Sequence, residues 1–250
     1  MSLVLPSSGR RVSCEQCPLR GLPVFRDFSP GELAFVSSFK AGEMTAEAGT
    51  TILSEGAHSA HLFTLLSGWA FRFKMLDDGR RQILNYILPG DLVGLQGSVI
   101  GEMEHSVEAL SPLVLCVFQR DQLDELFRNH PGLGFDVTWL AAREERMLDD
   151  HLLSLGRRTA LERAAYLLAF LHERAVSVGL NGGRVTIPLT QQHVADTLGL
   201  SIVHTNKTLR KLSNKGLIHW QGRSCEVLDA VELARIAGWE GPGESMRPLI

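Results

Sequence analysis

The chain has 250 residues, of which 44% are hydrophobic, and its formal net charge is −3. This composition excludes an intrinsically disordered chain, and the length suits two domains. Gly, Asp or Arg interrupts the longest apolar runs, so we expect no membrane-spanning helix, and the opening residues MSLVLPSSGRR lack the apolar core of a signal peptide. We therefore expect a cytoplasmic protein, in which the four cysteines do not form a disulfide framework.

The N-terminal half of the chain predicts a β-rich domain. After a loose arm at residues 1–13, the stretch DFSPGELAFVSSFK predicts a short helix capped by Ser29, with Pro30 at its first position. Residues 44–128 show short apolar runs between glycine-centred turns spaced by about 11 residues, which predicts a β-barrel or jelly roll. Asp121 is expected to cap a further short helix, DQLDELFRNH.

A long amphipathic helix is predicted after Pro131, over residues 134–155. A long helix that joins two domains often pairs with its copy in a second chain, and we therefore expect a homodimer. The residues expected at the dimer contact are Leu140, Met147, Leu148 and Leu152. The alternative is a helix that packs only against its own barrel. Residues 159–176 predict another helix, which would support the segment that follows.

Residues 189–212, LTQQHVADTLGLSIVHTNKTLRKL, are the most informative stretch of the chain. Thr190 and Ser201 are N-cap residue types, and each opens a segment with apolar spacing near 3.6. Gly199 supplies the permissive backbone at the end of the first helix. The pattern predicts a helix-turn-helix, with Leu209 and Leu212 of the second helix facing inward. A surface helix pair with solvated charge is the alternative.

The residues after this helix pair predict a two-stranded wing. Leu217–Trp220, the turn Gln221-Gly222-Arg223 and Cys225–Leu228 have the pattern of a β-hairpin. Arg223 at its tip would lie against a DNA phosphate. Residues 157–228 are net basic, whereas residues 1–156 are net acidic, which suits a nucleic-acid module attached to a domain of another kind.

A glycine-punctuated β-roll, a long linking helix and a winged helix together resemble the CRP/FNR superfamily of bacterial regulators, named after the cyclic-AMP receptor protein and the fumarate-nitrate reduction regulator. The resemblance extends from about residue 14 to 228. The residues that carry it are Gly56, Gly68, Gly79, Pro89-Gly90-Asp91 and Gly94 in the roll, Pro188-Leu189-Thr190-Gln191 with the helix-turn-helix LTQQHVADTLGLS, and Gly222 in the wing.

The resemblance implies an α+β chain in three parts. These are an N-terminal arm and double-stranded β-helix (jelly-roll) sensor domain at residues 1–133, a dimerisation helix at 134–156, and a winged helix-turn-helix domain with a tail at 157–250. It also implies a homodimer that binds a two-fold symmetric site in double-stranded DNA and contacts RNA polymerase.

The expected DNA-contacting residues depart from those of both namesakes. The base-reading positions of the family fall on Ile202, Val203, Asn206 and Lys207, where both namesakes have an acidic residue in place of Val203 and an arginine in place of Lys207. Lysine can still donate to a guanine, but it does so as a point charge, without the bidentate hydrogen bonds that an arginine guanidinium forms. The operator is therefore expected to differ from either consensus. The full set of expected DNA contacts is Ile202, Val203, His204, Asn206, Lys207, Arg210 and Arg223.

Cyclic AMP is disfavoured as the signal. The cyclic-AMP group of the family holds the phosphate with a Gly-Glu-Leu run and an Arg-Ser pair, where this chain has Gly94-Leu95-Gln96 and His105-Ser106. The phosphate-pairing arginine is therefore missing, and burial of a phosphate without its cation is costly.

The cysteines suggest a different signal. Cys14 and Cys17 form a C-x2-C pair, and Cys116 resembles in position the fourth cysteine that holds a [4Fe–4S] cluster in the oxygen-sensing FNR group. That group has three N-terminal cysteines where this chain has two, so Asp27 or His105 would have to complete the set. An iron–sulfur cluster, another metal, a thiol redox switch and ordinary buried cysteines all remain open, and no residue specifies haem. Cys225 is expected to be a packed strand residue.

Two other functions compete with a DNA-binding transcription regulator that responds to a small effector or to redox or oxygen. The first is a cyclic-nucleotide-binding module that acts through a protein partner, which the basic wing and helix disfavour. The second is an enzyme, but the chain has no paired-carboxylate motif, nucleophile elbow, P-loop or HExxH helix, so we expect no enzymatic activity.

Overall fold

The computed structural model describes residues 12–180, 185–241, 243 and 246–250, so most of the expected N-terminal arm lies outside the described residues. The described residues form two compact units. The roll unit contains residues 12–72, 87–145 and 246–250, and the winged-helix unit contains residues 73–86 and 146–243. Both expected domain boundaries, at residues 133 and 156, fall inside one continuous helix, Pro131–Arg157.

The helices that the sequence predicted and the two-stranded wing occur in the expected order, and the structure adds further elements. In chain order they are α1 (Pro30–Phe39), β1 (Lys40–Ala46), β2 (Thr51–Leu53), β3 (His61–Ser67), β4 (Ala70–Met75), β5 (Arg81–Ile87), β6 (Leu92–Val93), α2 (Leu95–Val99), β7 (Ser106–Ala109), β8 (Leu113–Gln119), α3 (Leu123–Asn129), α4 (Pro131–Arg157), α5 (Ala160–Ser177), β9 (Thr186–Ile187), α6 (Gln191–Leu198), α7 (Ile202–Asn214), β10 (Ile218–Gln221), β11 (Ser224–Val227) and α8 (Ala230–Ala237).

Two four-stranded sheets confirm the predicted jelly roll. Their strand orders are β1-β8-β3-β6 and β2-β7-β4-β5. The antiparallel pairs include β1 with β8, β3 with β8, β3 with β6, and β2 with β7. Apolar side chains from the strands of both sheets, including Phe63, Leu65, Val107 and Leu115, form a common core. Gly68 cannot be replaced at its turn, because its φ is 88° and a Cβ there would lie 2.4 Å from the Pro112 carbonyl oxygen.

Capping chemistry defines the ends of the helices in this region. Ser29 and Glu32 form a capping box at the start of α1, with Pro30 in the first turn, as predicted. The predicted cap at Asp121 is wrong, because Asp121 lies in a 3-10 turn and Gln122 occupies the N-cap position of α3. Helix α4 begins at Pro131, three residues before the expected start, because proline is well suited to a first helical turn.

Helix α4 exposes only part of the expected dimer contact. Leu148 and Leu152 are 41% and 71% exposed, so both are available to a second chain. Leu140 and Met147 are only 8% and 4% exposed, because they pack inside their own chain. Leu140 and Met147 therefore belong to the core of their own protomer. Of the four residues expected at the dimer contact, only Leu148 and Leu152 are exposed to a second chain.

The winged-helix unit contains α5 to α8 and a three-stranded antiparallel sheet of order β10-β11-β9. Strand β9 was not predicted as a strand, because it is only two residues long. The wing pairs Ile218 with Val227 and Gln221 with Ser224, which leaves Gly222 and Arg223 at the turn. The predicted hairpin is therefore confirmed.

Residues 246–250 belong to the roll unit rather than to the winged-helix unit that precedes them in sequence. Arg247 pairs with Phe25 in a parallel β-bridge, and its backbone amide donates to the Val24 carbonyl at 2.8 Å. The predicted C-terminal domain, residues 157–250, includes this segment, because nothing in five residues of sequence indicates a distant partner.

Among the residues for which the structure has coordinates, no helix is both long enough and apolar enough to cross a bilayer.

Candidate functional site

Local capping positions the two helices of the helix-turn-helix. The Thr190 hydroxyl accepts from the His193 amide at 3.2 Å, and His193 Nδ1 accepts from the Thr190 amide at 3.2 Å, so a histidine completes this capping box. Gly199 ends α6 in the left-handed conformation with φ 63°. Ser201 then caps α7 by accepting from the His204 amide at 3.3 Å. The chain therefore turns between the helices in the way the sequence predicted.

Helix α7 separates its buried and exposed residues cleanly. Thr205, Thr208, Leu209 and Leu212 are buried against the rest of the unit. The six α7 side chains that the sequence predicted for DNA contact are all exposed, namely Ile202, Val203, His204, Asn206, Lys207 and Arg210. The helix carries no acidic residue, and Lys211 and the following Lys215 add further positive charge. This face can therefore approach a polyanion without like-charge repulsion.

The wing places a seventh predicted residue on the surface. Arg223 is exposed at the turn between β10 and β11. Cys225 on β11 is fully buried, and burial raises the pKa of its thiol to about 12. Cys225 is therefore a packed strand residue, as expected, and it stays a neutral thiol at physiological pH.

Strand β5 contacts α6, the first helix of the motif, and the sequence alone did not predict these contacts. Arg81 Nη2 forms an ion pair with Asp196 at 2.9 Å, and Gln82 Nε2 donates to the Thr197 carbonyl at 3.0 Å. The buried Tyr86 hydroxyl lies 2.7 Å from Thr197 Oγ1. These polar contacts link residues more than a hundred positions apart, so no local pattern could reveal them.

The positions expected to hold a cyclic nucleotide do not carry the family's ligand-binding residues. Gly94 and Gln96 lie at the start of α2, and Ser106 begins β7. The Ser106 hydroxyl accepts from the Glu55 amide at 3.0 Å, and His105 beside it is buried. With glutamine and histidine at these positions, neither the ribose carboxylate nor the phosphate arginine of the cyclic-AMP group is present.

The three cysteines of interest line one small cavity in the roll unit. Cys14, Cys17 and Cys116 surround a cavity of about 20 Å³, large enough for about one water molecule. Lys40 Nζ donates to the Val12 carbonyl at 2.6 Å and so binds this part of the chain to β1. The segment that carries Cys14 and Cys17 therefore lies beside Cys116 of β8.

The cavity lining combines neutral thiols with positive charge. Burial raises the pKa of Cys14, and it raises the pKa of Cys116 to about 12, although nearby Lys40 acts in the opposite direction. Arg20 also lines the cavity, and its Nε and Nη1 atoms are buried without a hydrogen-bond partner among the described residues. In this closed arrangement Cys14 and Cys116 are protonated and unreactive.

These residues do not match a [4Fe–4S] site. Such a cluster takes four ligands, ordinarily all cysteine thiolates, whereas three thiols line this cavity. Neither Asp27 nor His105, the suggested additional ligands, is part of the lining. Across the described parts of the chain, no three His, Cys, Asp or Glu side chains are arranged to hold a metal ion.

Comparisons with known proteins agree with both halves of this architecture. Residues 43–130 match the family model of the cyclic nucleotide-binding domain, and residues 162–236 match that of the Crp-like helix-turn-helix domain. The nitrogen fixation regulation protein FixK of Bradyrhizobium diazoefficiens is 30% identical over 90% of this chain and 93% of its own. The transcriptional activator protein FnrL of Cereibacter sphaeroides is 30% identical over 92% of this chain and 94% of its own.

A solved structure is similar along most of its own length. FixK2 from Bradyrhizobium japonicum matches with a TM-score of 0.68 and 26% identity, over 78% of this chain and 96% of that one. The fold of that protein is therefore similar to the fold of this chain.

Proposed function

The chain belongs to the CRP/FNR family of DNA-binding transcription regulators, and we propose that it binds a two-fold symmetric site in double-stranded DNA as a homodimer. The observation that carries this proposal is the exposed, acid-free face of α7, together with an exposed arginine at the wing tip. A helix of this kind enters the major groove, while the wing reaches an adjacent phosphate.

The exposed residues divide into two roles. Asn206 and Lys207 have the hydrogen-bonding groups that read adenine and guanine edges, and Val203 can contact only an apolar group such as a thymine methyl. Arg210 and Arg223, both exposed, would contact the phosphate backbone on either side of the groove. Sequence preference therefore comes from the first two turns of α7, and affinity from the surrounding cations.

The homodimer would form through the exposed apolar side of α4. Besides Leu148 and Leu152, Phe135 and Leu153 are 69% and 54% exposed. Leu148 and Leu152 are about one helical turn apart and lie on one face of α4, whereas Phe135 and Leu153 lie on another face. A parallel pair of helices that meet along the Leu148 and Leu152 face would bury these two side chains and present two α7 helices to one side of the DNA.

The signal is proposed to act on the cavity formed by Cys14, Cys17 and Cys116. Support comes from the position of three thiols beside Lys40 and Arg20, since positive charge stabilises a thiolate once solvent enters. A redox or oxygen signal would then act on thiols directly. The relatives named transcriptional activators favour a regulator that contacts RNA polymerase in the cytoplasm, where the DNA lies.

The test of DNA binding begins with a pool of random duplexes, from which the purified chain selects its preferred sequence. We expect an inverted repeat, with half-sites about 10 base pairs apart centre to centre or a multiple of that spacing. Selection of single half-sites would contradict the dimer proposal. A dimeric chain that retains no duplex would favour the alternative of a regulatory module that acts through a protein partner.

The test of the signal is the colour and metal content of protein purified without oxygen. We expect colourless protein whose Cys14, Cys17 and Cys116 thiols are reduced. Brown absorption at about 400 nm together with bound iron would contradict the thiol proposal and indicate a cluster.

A further inference from the structure

The segment 246–250 belongs to the roll unit, where most of it is buried. Residues 247–250 are all buried, although they follow the winged-helix unit in sequence. Met246, which precedes them, is 64% exposed. Four consecutive buried residues therefore form a continuous contact with the roll unit.

Arg247 is the anchor of this segment. The residue is 1% exposed, and Nη1 donates to Asp91 Oδ1 at 2.8 Å while Nη2 donates to the Pro89 carbonyl at 2.8 Å. The guanidinium also lies over the Phe25 ring, 4.6 Å from its centroid. Gly90 leaves room for this arrangement, since a Cβ there would lie 2.3 Å from Phe25 and 3.0 Å from Arg247 Nη2.

The backbone of the segment adds β-type recognition. The Arg247 amide donates to the Val24 carbonyl at 2.8 Å, and its carbonyl accepts from the Arg26 amide at 2.9 Å. Peptides that dock on an exposed backbone edge use the same combination of main-chain hydrogen bonds and side-chain pockets. A buried arginine and two buried apolar residues give this site its specificity.

The last two residues close the cysteine cavity. Leu249 and Ile250 are 3% and 4% exposed and line the cavity together with Cys14, Cys17 and Cys116. The Thr64 hydroxyl donates to the Ile250 carbonyl, and Thr64 lies directly opposite Cys116 in the β3–β8 pairing. Residues facing each other across antiparallel strands are close neighbours, so Ile250 packs beside the strand pair that carries Cys116.

We infer that the roll unit contains a binding site for the chain's own segment 246–250, and that occupancy of this site controls access to Cys14 and Cys116. The ligand class is a peptide with arginine followed two residues later by paired aliphatic side chains, Arg-Pro-Leu-Ile. When the segment leaves, solvent and thiol-reactive molecules reach the cavity. The inference concerns access to the thiols and holds for any thiol-directed signal.

The experiment measures maleimide labelling of each cysteine in the reduced, full-length protein, with modified peptides quantified by mass spectrometry. Arg247→Ala should accelerate labelling of Cys14 and Cys116 by about tenfold or more, because it removes both side-chain hydrogen bonds of the anchor. Met246→Ala is the matched control and should label like the original chain. Cys225, buried in the other unit, is an internal control whose rate should not change.

A synthetic peptide with the sequence of residues 244–250 separates an opened site from an unfolded unit. Added at millimolar concentration to the Arg247→Ala protein, it should restore slow labelling, whereas the same peptide with alanine for arginine should not. Unchanged labelling in Arg247→Ala would overturn the inference. Faster labelling that the peptide fails to slow would overturn it as well, because the roll unit would then have lost its fold rather than its ligand.

Discussion

Removal of the wing-tip cation should change the salt dependence of DNA binding by a calculable amount. Arg223 is exposed at the β10–β11 turn, and a dimer would place two copies against phosphates. Each phosphate contact contributes about 0.9 to the slope of log K against log salt, so Arg223→Ala should reduce the magnitude of the slope by about 1.8. The corresponding loss of affinity is about 60-fold at about 0.1 M salt and about ninefold at about 0.3 M.

The assay is fluorescence anisotropy of a labelled duplex titrated with protein at several salt concentrations. The selected operator and an unrelated duplex should show the same change in slope, because a phosphate contact carries no sequence information. Arg128→Ala is the matched control, since Arg128 is an exposed arginine on α3 with 77% of its side chain accessible. An unchanged slope for Arg223→Ala, or an equal change for Arg128→Ala, would refute the assignment of the wing tip to a phosphate.

Three further predictions concern base reading, dimerisation and pH. Lys207→Ala should weaken the binding free energy at the selected operator by about 1–3 kcal/mol and should relax discrimination at one base pair of each half-site. Binding to single-base operator variants measures this effect. An equal loss of affinity on every sequence would instead make Lys207 a phosphate contact. Leu152→Asp should give monomers in sedimentation, and a Leu152→Asp protein that stays dimeric would place the contact elsewhere. Met147→Asp should instead lower the free energy of unfolding by about 3 kcal/mol, because Met147 is only 4% exposed. Burial lowers the pKa of His193 to about 4, whereas the unfolded histidine titrates at about 6.5. Below pH of about 6.5 the unfolded chain therefore binds more protons than the folded chain. The free energy of unfolding should fall as the pH drops from about 6.5 toward 4. Burial also lowers the pKa of His151 to about 4, so His151 contributes to this loss of stability as well. His193→Gln keeps a capping-box residue without titrating and should therefore reduce this pH dependence in urea unfolding, whereas His219→Gln, at an exposed position, should leave it unchanged.

The residues that carry the DNA-binding proposal were predictable because their signals are local. Thr190, Gly199 and Ser201 determine the helix-turn-helix by capping and by a left-handed turn, and each acts within four residues of its own position. The period of 3.6 then separates Leu209 from Lys207 without reference to any other part of the chain. Local signals of this kind were sufficient for the order of the elements and for the exposed face of α7.

Other features depended on partners far away in sequence. Periodicity assigned Met147 and Leu152 to one apolar stripe, yet one is buried in its own chain and the other is exposed, because a stripe does not specify what covers it. The contact of Arg81 with Asp196 likewise depends on a strand and a helix being brought together.

The sequence by itself determined the helix-turn-helix, the wing, the family and the exposed face of α7, since capping, turns and amphipathic periods act over a few residues. Only the tertiary structure decided that Cys116 shares one cavity with Cys14 and Cys17, and that Leu249 and Ile250 line the same cavity. Burial of Arg247 requires a carboxylate, a carbonyl and an aromatic ring from separate segments of the roll, and only the folded chain assembles them.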